Sequence, residues 1–137
     1  MVYENQLTVC ENDLDDLNHV NNVRYVQWMQ DIAKEHWQRV ATADLKTSCT
    51  WVVKEHHIRY LGAAVLADEL ILKTFIKSVK GAISERVVEI HNKATKQLLI
   101  QATTQWCLLH SSSLKPIRIT KEITDCLPVY NSITPLK

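Results

Sequence analysis

Apolar side chains recur at helical spacing across residues 23–41, a stretch that contains neither Gly nor Pro. Intervals of three and four residues place side chains on one face of an α-helix, so this spacing predicts one long helix. A second apolar row beside the first predicts burial on most of its circumference. The two rows are Val26, Met29, Ala33, Trp37 and Val40, and Tyr25, Trp28, Ile32 and His36. Asn21 or Asn22 is expected to cap the helix, because an Asn side chain accepts a hydrogen bond from the first turn.

Elsewhere the apolar period is two residues, which is the spacing of β-strands. The order is one strand, the helix and four further strands, joined by short turns such as the hairpin Lys80-Gly81-Ala82. This order predicts an α+β domain in which an antiparallel sheet packs against the single long helix. The predicted strands are residues 2–10, 50–61, 69–79, 83–91 and 97–110.

Little regular structure is expected after residue 115. Pro116, Pro128 and Pro135 all lie there, and the stretch 124–137 has no clear apolar period. Proline cannot continue a helix or a central strand. The chain is therefore predicted to be one domain over residues 1–137, with a poorly patterned tail after about residue 120.

Composition and charge exclude several classes of protein. Of the 137 residues, 46% are hydrophobic and 23% are charged, as in soluble globular proteins. The balance of 16 basic and 15 acidic residues gives a net charge of +1, so no nucleic-acid partner is expected. No apolar run of about 18 residues predicts a membrane span. The acidic N-terminal stretch is unlike a signal peptide, and the four cysteines are far apart, so free thiols and a cytoplasmic location are expected.

The loop before the helix is the candidate functional site. Residues 11–22 crowd three Asp, one His and several Asn side chains before the first helical turn. Free N–H groups and the positive end of the helix dipole lie at such a turn and can stabilise an oxyanion, while a nearby carboxylate can act as a base or a nucleophile. The alternative reading is purely structural, because Asp and Asn commonly cap helices and form turns.

The sequence D-L-D-D-L-N-H-V-N-N-V-R-Y, followed by the long helix, resembles the signature of the hotdog-fold acyl thioesterases. These are the 4-hydroxybenzoyl-CoA thioesterase-like enzymes and the acyl-carrier-protein thioesterases, whose motif is close to D-x-D-x-x-G-H-V-N-N-x-x-Y. The segment R-Y-L-G-A-A-V-L-A-D-E-L resembles a second family segment, so the resemblance covers roughly residues 3–120. It implies a hotdog fold, an antiparallel sheet wrapped around one long central helix. The matching residues of the first motif are Asp13, Asp15, His19, Val20, Asn21, Asn22 and Tyr25.

The resemblance implies hydrolysis of an acyl-CoA or acyl-ACP thioester. Asp15 is implied as the catalytic carboxylate, which attacks the carbonyl or activates water, and the backbone N–H of Asn22 as the oxyanion donor. His19 completes the catalytic set and, with Asn21, holds the loop and the water in place. Substrate contacts are expected from Asn21, Tyr25 and His57.

Three positions depart from the family pattern. The proline of the second segment is Gly62 or Ala63 here, depending on the register. Asn18 replaces the glycine before the His, although Asn tolerates the left-handed conformation that a glycine adopts. Leu17 replaces an Asn of the plant-type members, so no catalytic role transfers there. Asp13 and Asp16 are the nearest competitors of Asp15; we expect Asp13 to shape the loop or to be solvated, and Asp16 to be solvated.

No cofactor and no metal are expected. His56 and His57 are adjacent in a strand and face opposite sides, so they cannot both bind one ion. The resembling fold suggests that one of them lines the site of a neighbouring subunit. No Gly-rich phosphate loop is present either.

Assembly follows from the strand at 97–110, which is predicted to be apolar on both faces. Leu98, Ile100, Ala102, Trp106 and Leu108 form one side, and Leu99, Cys107 and Leu109 form the other. One helix covers only one face, so a homodimer or a homotetramer is expected. A dehydratase, a non-catalytic acyl-thioester-binding protein and a structural dimer that retains the fold without the chemistry remain the alternative functions. The acyl group, the thiol carrier and the choice between nucleophile and base stay open.

Overall fold

The computed structural model describes residues 1–130. It contains one five-stranded antiparallel sheet in the order β1-β3-β4-β5-β2, which leaves β1 and β2 at the edges. A long helix, α1, packs against one face. The strands are β1 Tyr3–Thr8, β2 Cys49–Tyr60, β3 Glu69–Lys80, β4 Ile83–Asn92 and β5 Leu98–His110. The helices are α1 Asn22–Val40, α2 Ala43–Ser48 and α3 Lys121–Cys126.

Helix α1 buries one face, as the apolar spacing predicts. Both predicted rows contribute to the buried face, which consists of Tyr25, Met29, Ile32, Ala33, His36 and Trp37. The prediction of burial around most of the circumference is wrong for this subunit. Gln27, Asp31, Lys34 and Gln38 stay exposed and form a polar stripe on the opposite side.

The main core lies between the first half of α1 and the middle of the sheet. Tyr25, Met29 and Ile32 pack there against strand residues such as Leu70 and Ile90. Burial of these apolar side chains is the main favourable contribution to folding, at roughly 25 cal/mol per Å² of area removed from water. The turn between β3 and β4 places Gly81 at a φ of 61°, which confirms the predicted tight hairpin.

The prediction that β5 is apolar on both faces is wrong in its central part. Ile90 pairs with Ile100 and His91 pairs with Leu98, so Leu99 is the extra residue of a bulge in β5. As a result, Leu99 and Ile100 both belong to the main core. On the face away from α1, the middle of β5 presents Gln101 and Thr103, whose neighbours include charged side chains. The outer face of the sheet therefore does not by itself require a second subunit.

Regular structure continues beyond residue 115, contrary to the prediction. Helix α3 buries Ile123, and Leu127 follows it into a second core cluster that contains Trp37 and Leu108. Further along, the N–H of Tyr130 donates to the carbonyl of Ile76 at 2.8 Å. The prolines flank α3 and do not interrupt it. The part of the predicted tail at 131–137, with Pro135, lies outside the described residues.

Candidate active site

The loop before α1 is a tight reversal that brings Asp15 next to the helix start. Leu14 and Val20 form an antiparallel bridge, and the N–H of Asp15 donates to the carbonyl of His19 at 2.7 Å. Asn18 adopts a φ of 61°, so it occupies the left-handed conformation expected of it in place of glycine. The substitution of that glycine therefore leaves the reversal intact.

The carboxylate of Asp15 is held by backbone donors and is half-buried. Its Oδ1 accepts hydrogen bonds from the N–H of Leu17 at 2.9 Å and from the N–H of His19 at 3.2 Å. Its Oδ2 makes no hydrogen bond to any residue between 1 and 130. One oxygen thus fixes the orientation of the group, and the other is available for chemistry.

A free donor lies at the start of α1. Asn21 is the N-cap, and its side-chain oxygen accepts from the N–H of Val23 at 3.0 Å. The N–H of Arg24 donates to the carbonyl of Asn21 at 2.9 Å. Within the described chain, the N–H of Asn22 has no partner, and it points from the positive end of a 19-residue helix. This is the donor that the resemblance implies as the oxyanion site.

The other two aspartates of the loop have different environments. Asp13 contacts the guanidinium of Arg24 at 3.0 Å and accepts from the N–H of Cys10 at 2.8 Å. Its carbonyl accepts from the N–H of Asn21 at 2.8 Å, so Asp13 shapes the loop and fixes the cap. Asp16 is exposed, and its side chain makes no hydrogen bond to any described residue. Of the three carboxylates, Asp15 alone combines partial burial, fixed orientation and a free oxygen.

Tyr25 lies beneath this loop, but its hydroxyl is already engaged. The N–H of Ala64 donates to the Tyr25 oxygen at 3.1 Å, and both residues are buried. Burial raises the pKa of Tyr25 above its usual value of 10, against the opposing effect of the Ala64 hydrogen bond. The carbonyl of Ala64 accepts from the N–H of Val20 at 2.9 Å, which ties the helix, the loop and the segment after β2 together. Through Ala64, Tyr25 therefore holds the loop against the start of the helix.

The predicted histidines are spread over different places. His19 is exposed, and its backbone bridges to Val65. His57 is exposed on the outer face of the sheet, in a groove that it shares with Phe75, so the structure does not bring it to Asp15 within one subunit. His56 faces the opposite side, as predicted, and its Nδ1 lies 2.8 Å from the hydroxyl of Thr104. Burial lowers the pKa of His56.

An exposed apolar rim surrounds the helix start, and sequence reasoning missed it. Its members lie on the loop, on the first turn of α1, at the end of β2 and on the segment that follows β2. A bridge between His19 and Val65 joins the loop to that segment. Leu17 and Val23 are each 74% exposed. Leucine inside an otherwise polar, acidic loop was the signal in the sequence. We define the apolar rim as Leu17, Val23, Tyr60, Leu61, Val65 and Leu66.

Across residues 1–130, no three His, Cys, Asp or Glu side chains converge on a point that could hold a metal ion. The same part of the chain contains no helix long and apolar enough to cross a membrane.

A long helix packed against a five-stranded antiparallel sheet is the architecture of the hotdog-fold thioesterases. Residues 1–127 match the sequence profile of the acyl-ACP thioesterase N-terminal domain, and the chain belongs to that family. Membership of this family confirms the predicted activity, hydrolysis of an acyl thioester. The solved structures that resemble the chain confirm the predicted fold. No curated protein matches the sequence.

Solved structures share the same fold at low sequence identity. A probable thioesterase from Escherichia coli, YbaW, is 22% identical with a TM-score of 0.78, covering 90% of this chain and 95% of its own. The 1,4-dihydroxy-2-naphthoyl-CoA thioesterase Slr0204 from Synechocystis is 14% identical with a TM-score of 0.79, covering 93% and 96%. The 12:0-ACP thioesterase from Umbellularia californica is 15% identical with a TM-score of 0.79, covering 91% of this chain and 49% of that enzyme.

Proposed function

We propose that this thioesterase hydrolyses acyl-CoA or acyl-ACP with Asp15 as its catalytic carboxylate. The observation that carries the proposal is the pairing of a fixed, half-buried carboxylate with a free N–H at the start of α1. The carbonyl oxygen of the thioester accepts from the N–H of Asn22, where the helix dipole stabilises developing negative charge. The free Oδ2 of Asp15 then faces the carbonyl carbon.

Two routes are open to Asp15. As a general base, it takes a proton from water while the water oxygen attacks the carbonyl carbon; the C–S bond breaks and the thiolate leaves. As a nucleophile, its oxygen forms a mixed anhydride with the acyl group and expels the thiolate, and water then hydrolyses the anhydride. Both routes end in a carboxylic acid and a thiol. Neither requires a metal ion, since a thiolate is a good leaving group.

The remaining predicted residues have supporting roles in this proposal. Asn21 holds the first turn through its side-chain cap, which keeps the N–H of Asn22 free. His19 contributes a backbone N–H to Asp15, and we assign its exposed ring the role of holding water. Tyr25 positions the loop from below through Ala64. A substrate contact from His57 requires that the outer face of one subunit meets the site of another.

We propose a homodimer, which can pair further into a tetramer. Two features support it: the apolar rim around the site, and the 12-residue edge strand β2, whose outer edge has no partner among the described residues. Exposed apolar clusters and long edge strands are favourable surfaces for association. Light scattering at micromolar concentration should give at least twice the chain mass of 15.8 kDa. A monomer mass would contradict the proposal.

The choice of substrate is tested by thiol release. The protein is incubated with matched acyl-CoA and acyl-ACP series, and free thiol is detected with a chromogenic disulfide. Release that saturates with substrate supports hydrolysis and identifies the preferred carrier. Water loss from a 3-hydroxyacyl thioester without thiol release would indicate a dehydratase, and tight binding without turnover would indicate a carrier protein.

We also propose that the protein is located in the cytoplasm. The four cysteines are free thiols in the structure, and Cys10 is exposed. Exposed free thiols persist in a reducing compartment. Cell fractionation with a thiol-labelling reagent would test this, and recovery of the protein in a secreted fraction would contradict it.

A further inference from the structure

A second site lies at the other end of α1. A cavity of about 250 Å³ opens between the second half of α1, the start of β2, and strands β4 and β5. Ala33, on its wall, is eleven residues beyond Asn22, which corresponds to about 16 Å along the helix axis. No residue of the loop at 11–22 lines the cavity, and Met29 and Ile32, which lie between the two along α1, are fully buried. The cavity is therefore separate from the loop that contains Asp15.

The cavity contains a buried cation without an anionic partner. Arg86 lines it and is 4% exposed. Its Nη1 donates to the Nδ1 of His36 at 3.0 Å and to the hydroxyl of Thr74 at 3.0 Å, and both partners are neutral in this arrangement. Its other guanidinium donors make no hydrogen bond within residues 1–130, and no carboxylate there forms an ion pair with it. A buried charge of this kind is costly unless it is paired.

The charge states of Arg86 and His36 support this description. Burial lowers the pKa of Arg86 to about 10, so the guanidinium remains charged at neutral pH. Burial, with a smaller contribution from Arg86, lowers the pKa of His36 to about 4, so its ring is a neutral acceptor there. The unpaired positive charge is thus present under physiological conditions.

Tryptophan side chains form the aromatic part of the cavity wall. Three of the four tryptophans line it, and Trp37 and Trp51 meet edge to face at 5.6 Å. The indole N–H groups of Trp51 and Trp106 are buried, with no partner in the described chain. Lys34 and Lys46 are exposed lining residues, and no Asp or Glu is among the lining residues that the structure describes.

We propose that this cavity binds a small organic carboxylate with a flat apolar body. The planar fork of Arg86 matches the two oxygens of a carboxylate and supplies the counter-charge that the protein lacks. The indole walls pack against the apolar body, which an inorganic anion does not possess. The volume lies below the 300–1,000 Å³ typical of sites for drug-sized ligands, so the ligand is of about the size of benzoate.

The test is a titration of the full-length protein with benzoate, benzamide and inorganic phosphate, followed by tryptophan fluorescence and calorimetry. We expect saturable benzoate binding and at least about tenfold weaker binding of benzamide and of phosphate, which corresponds to about 1.4 kcal/mol. Equal binding of benzamide would show that Arg86 is not used. Equal binding of phosphate would indicate a general anion site. A dissociation constant for benzoate of about 1 mM or below would give near-saturation at about 10 mM benzoate. Absence of saturation at that concentration would also overturn the proposal.

Two variants of the cavity and one control variant assign the binding to this cavity. Arg86→Gln should abolish benzoate binding, whereas Arg59→Gln, which removes an exposed arginine on the outer face, should not change it. If Arg86→Gln does not fold, Ser84→Leu decides, because it fills the cavity and keeps the charge. Unchanged binding in Ser84→Leu would overturn the proposal. No thioester is present in these measurements, so their outcome is independent of the role proposed for Asp15.

Discussion

Replacement of Tyr25 by Phe tests whether the hydrogen bond beneath the site stabilises the fold. The Tyr25 hydroxyl accepts from the N–H of Ala64 at 3.1 Å, and Ala64 has no exposed surface. Phe keeps the ring and its contact with Trp28, at 5.6 Å between centroids, but leaves the Ala64 donor buried and unpaired. An unpaired buried donor costs about 1–3 kcal/mol. For a chain of this length, that loss corresponds to a fall in Tm of about 3–10 °C.

The assay is urea denaturation followed by far-ultraviolet circular dichroism, with the free energy of unfolding taken from the linear extrapolation. The matched control is Tyr60→Phe, because Tyr60 is 44% exposed and its hydroxyl makes no hydrogen bond to a described residue. A surface change of this kind should stay within about 0.5 kcal/mol. If Tyr25→Phe and Tyr60→Phe are equally stable, the hydroxyl does not stabilise the segment after β2, and the positioning role of Tyr25 is wrong.

Two further predictions follow from the loop and from the buried histidine. Asn18→Gly should leave stability nearly unchanged, whereas Asn18→Val should lower the free energy of unfolding by about 1–2 kcal/mol, because a β-branched residue resists a φ of 61°; equal stability of the two variants would contradict the left-handed conformation. The pKa of His36 is lowered to about 4, so the unfolded chain binds a proton that the folded chain does not, and stability should fall as the pH drops from 6.5 towards 4. His36→Gln should flatten that slope in denaturation curves recorded between pH 4 and pH 7, and an unchanged slope would show that His36 is not responsible for it.

The period of the apolar residues was sufficient to predict the helix, the strands and their order, because a half-buried sheet and an amphipathic helix impose different periods. The bulge at Leu99 was not predictable, since two adjacent leucines and an isoleucine fit either face equally well. Helix α3 was missed because the prolines were interpreted as the end of regular structure. Pro116 precedes the N-cap Thr120 and Pro128 follows Cys126, and both are positions that proline tolerates.

The candidate site was predicted in its backbone but not in its surroundings. The resemblance to the thioesterase motif implied Asp15 and Asn22, and the helical pattern offered Asn21 or Asn22 as the cap. The hydrogen bonds of Asp15 and Asn21 follow from local turn and cap geometry. The apolar rim depends on the approach of the segment after β2 to the loop, a contact between residues more than 40 positions apart. The burial of Arg86 was not predicted either. Arg86 shares one face of β4 with Val88 and Ile90, which are buried, but arginine side chains are rarely buried, so the residue type argued against burial at this position.

The most direct test of the central claim is kcat for thioester hydrolysis by Asp15→Asn, compared with Asp16→Asn. Asn keeps an oxygen that accepts from the N–H groups of Leu17 and His19, so the loop should persist, while the negative charge is lost. We expect kcat to fall by roughly 10²–10⁴ in Asp15→Asn, the range associated with the loss of a general base, and to stay close to that of the unmodified protein in Asp16→Asn. Full activity in Asp15→Asn, with its fold intact by circular dichroism, would contradict the account.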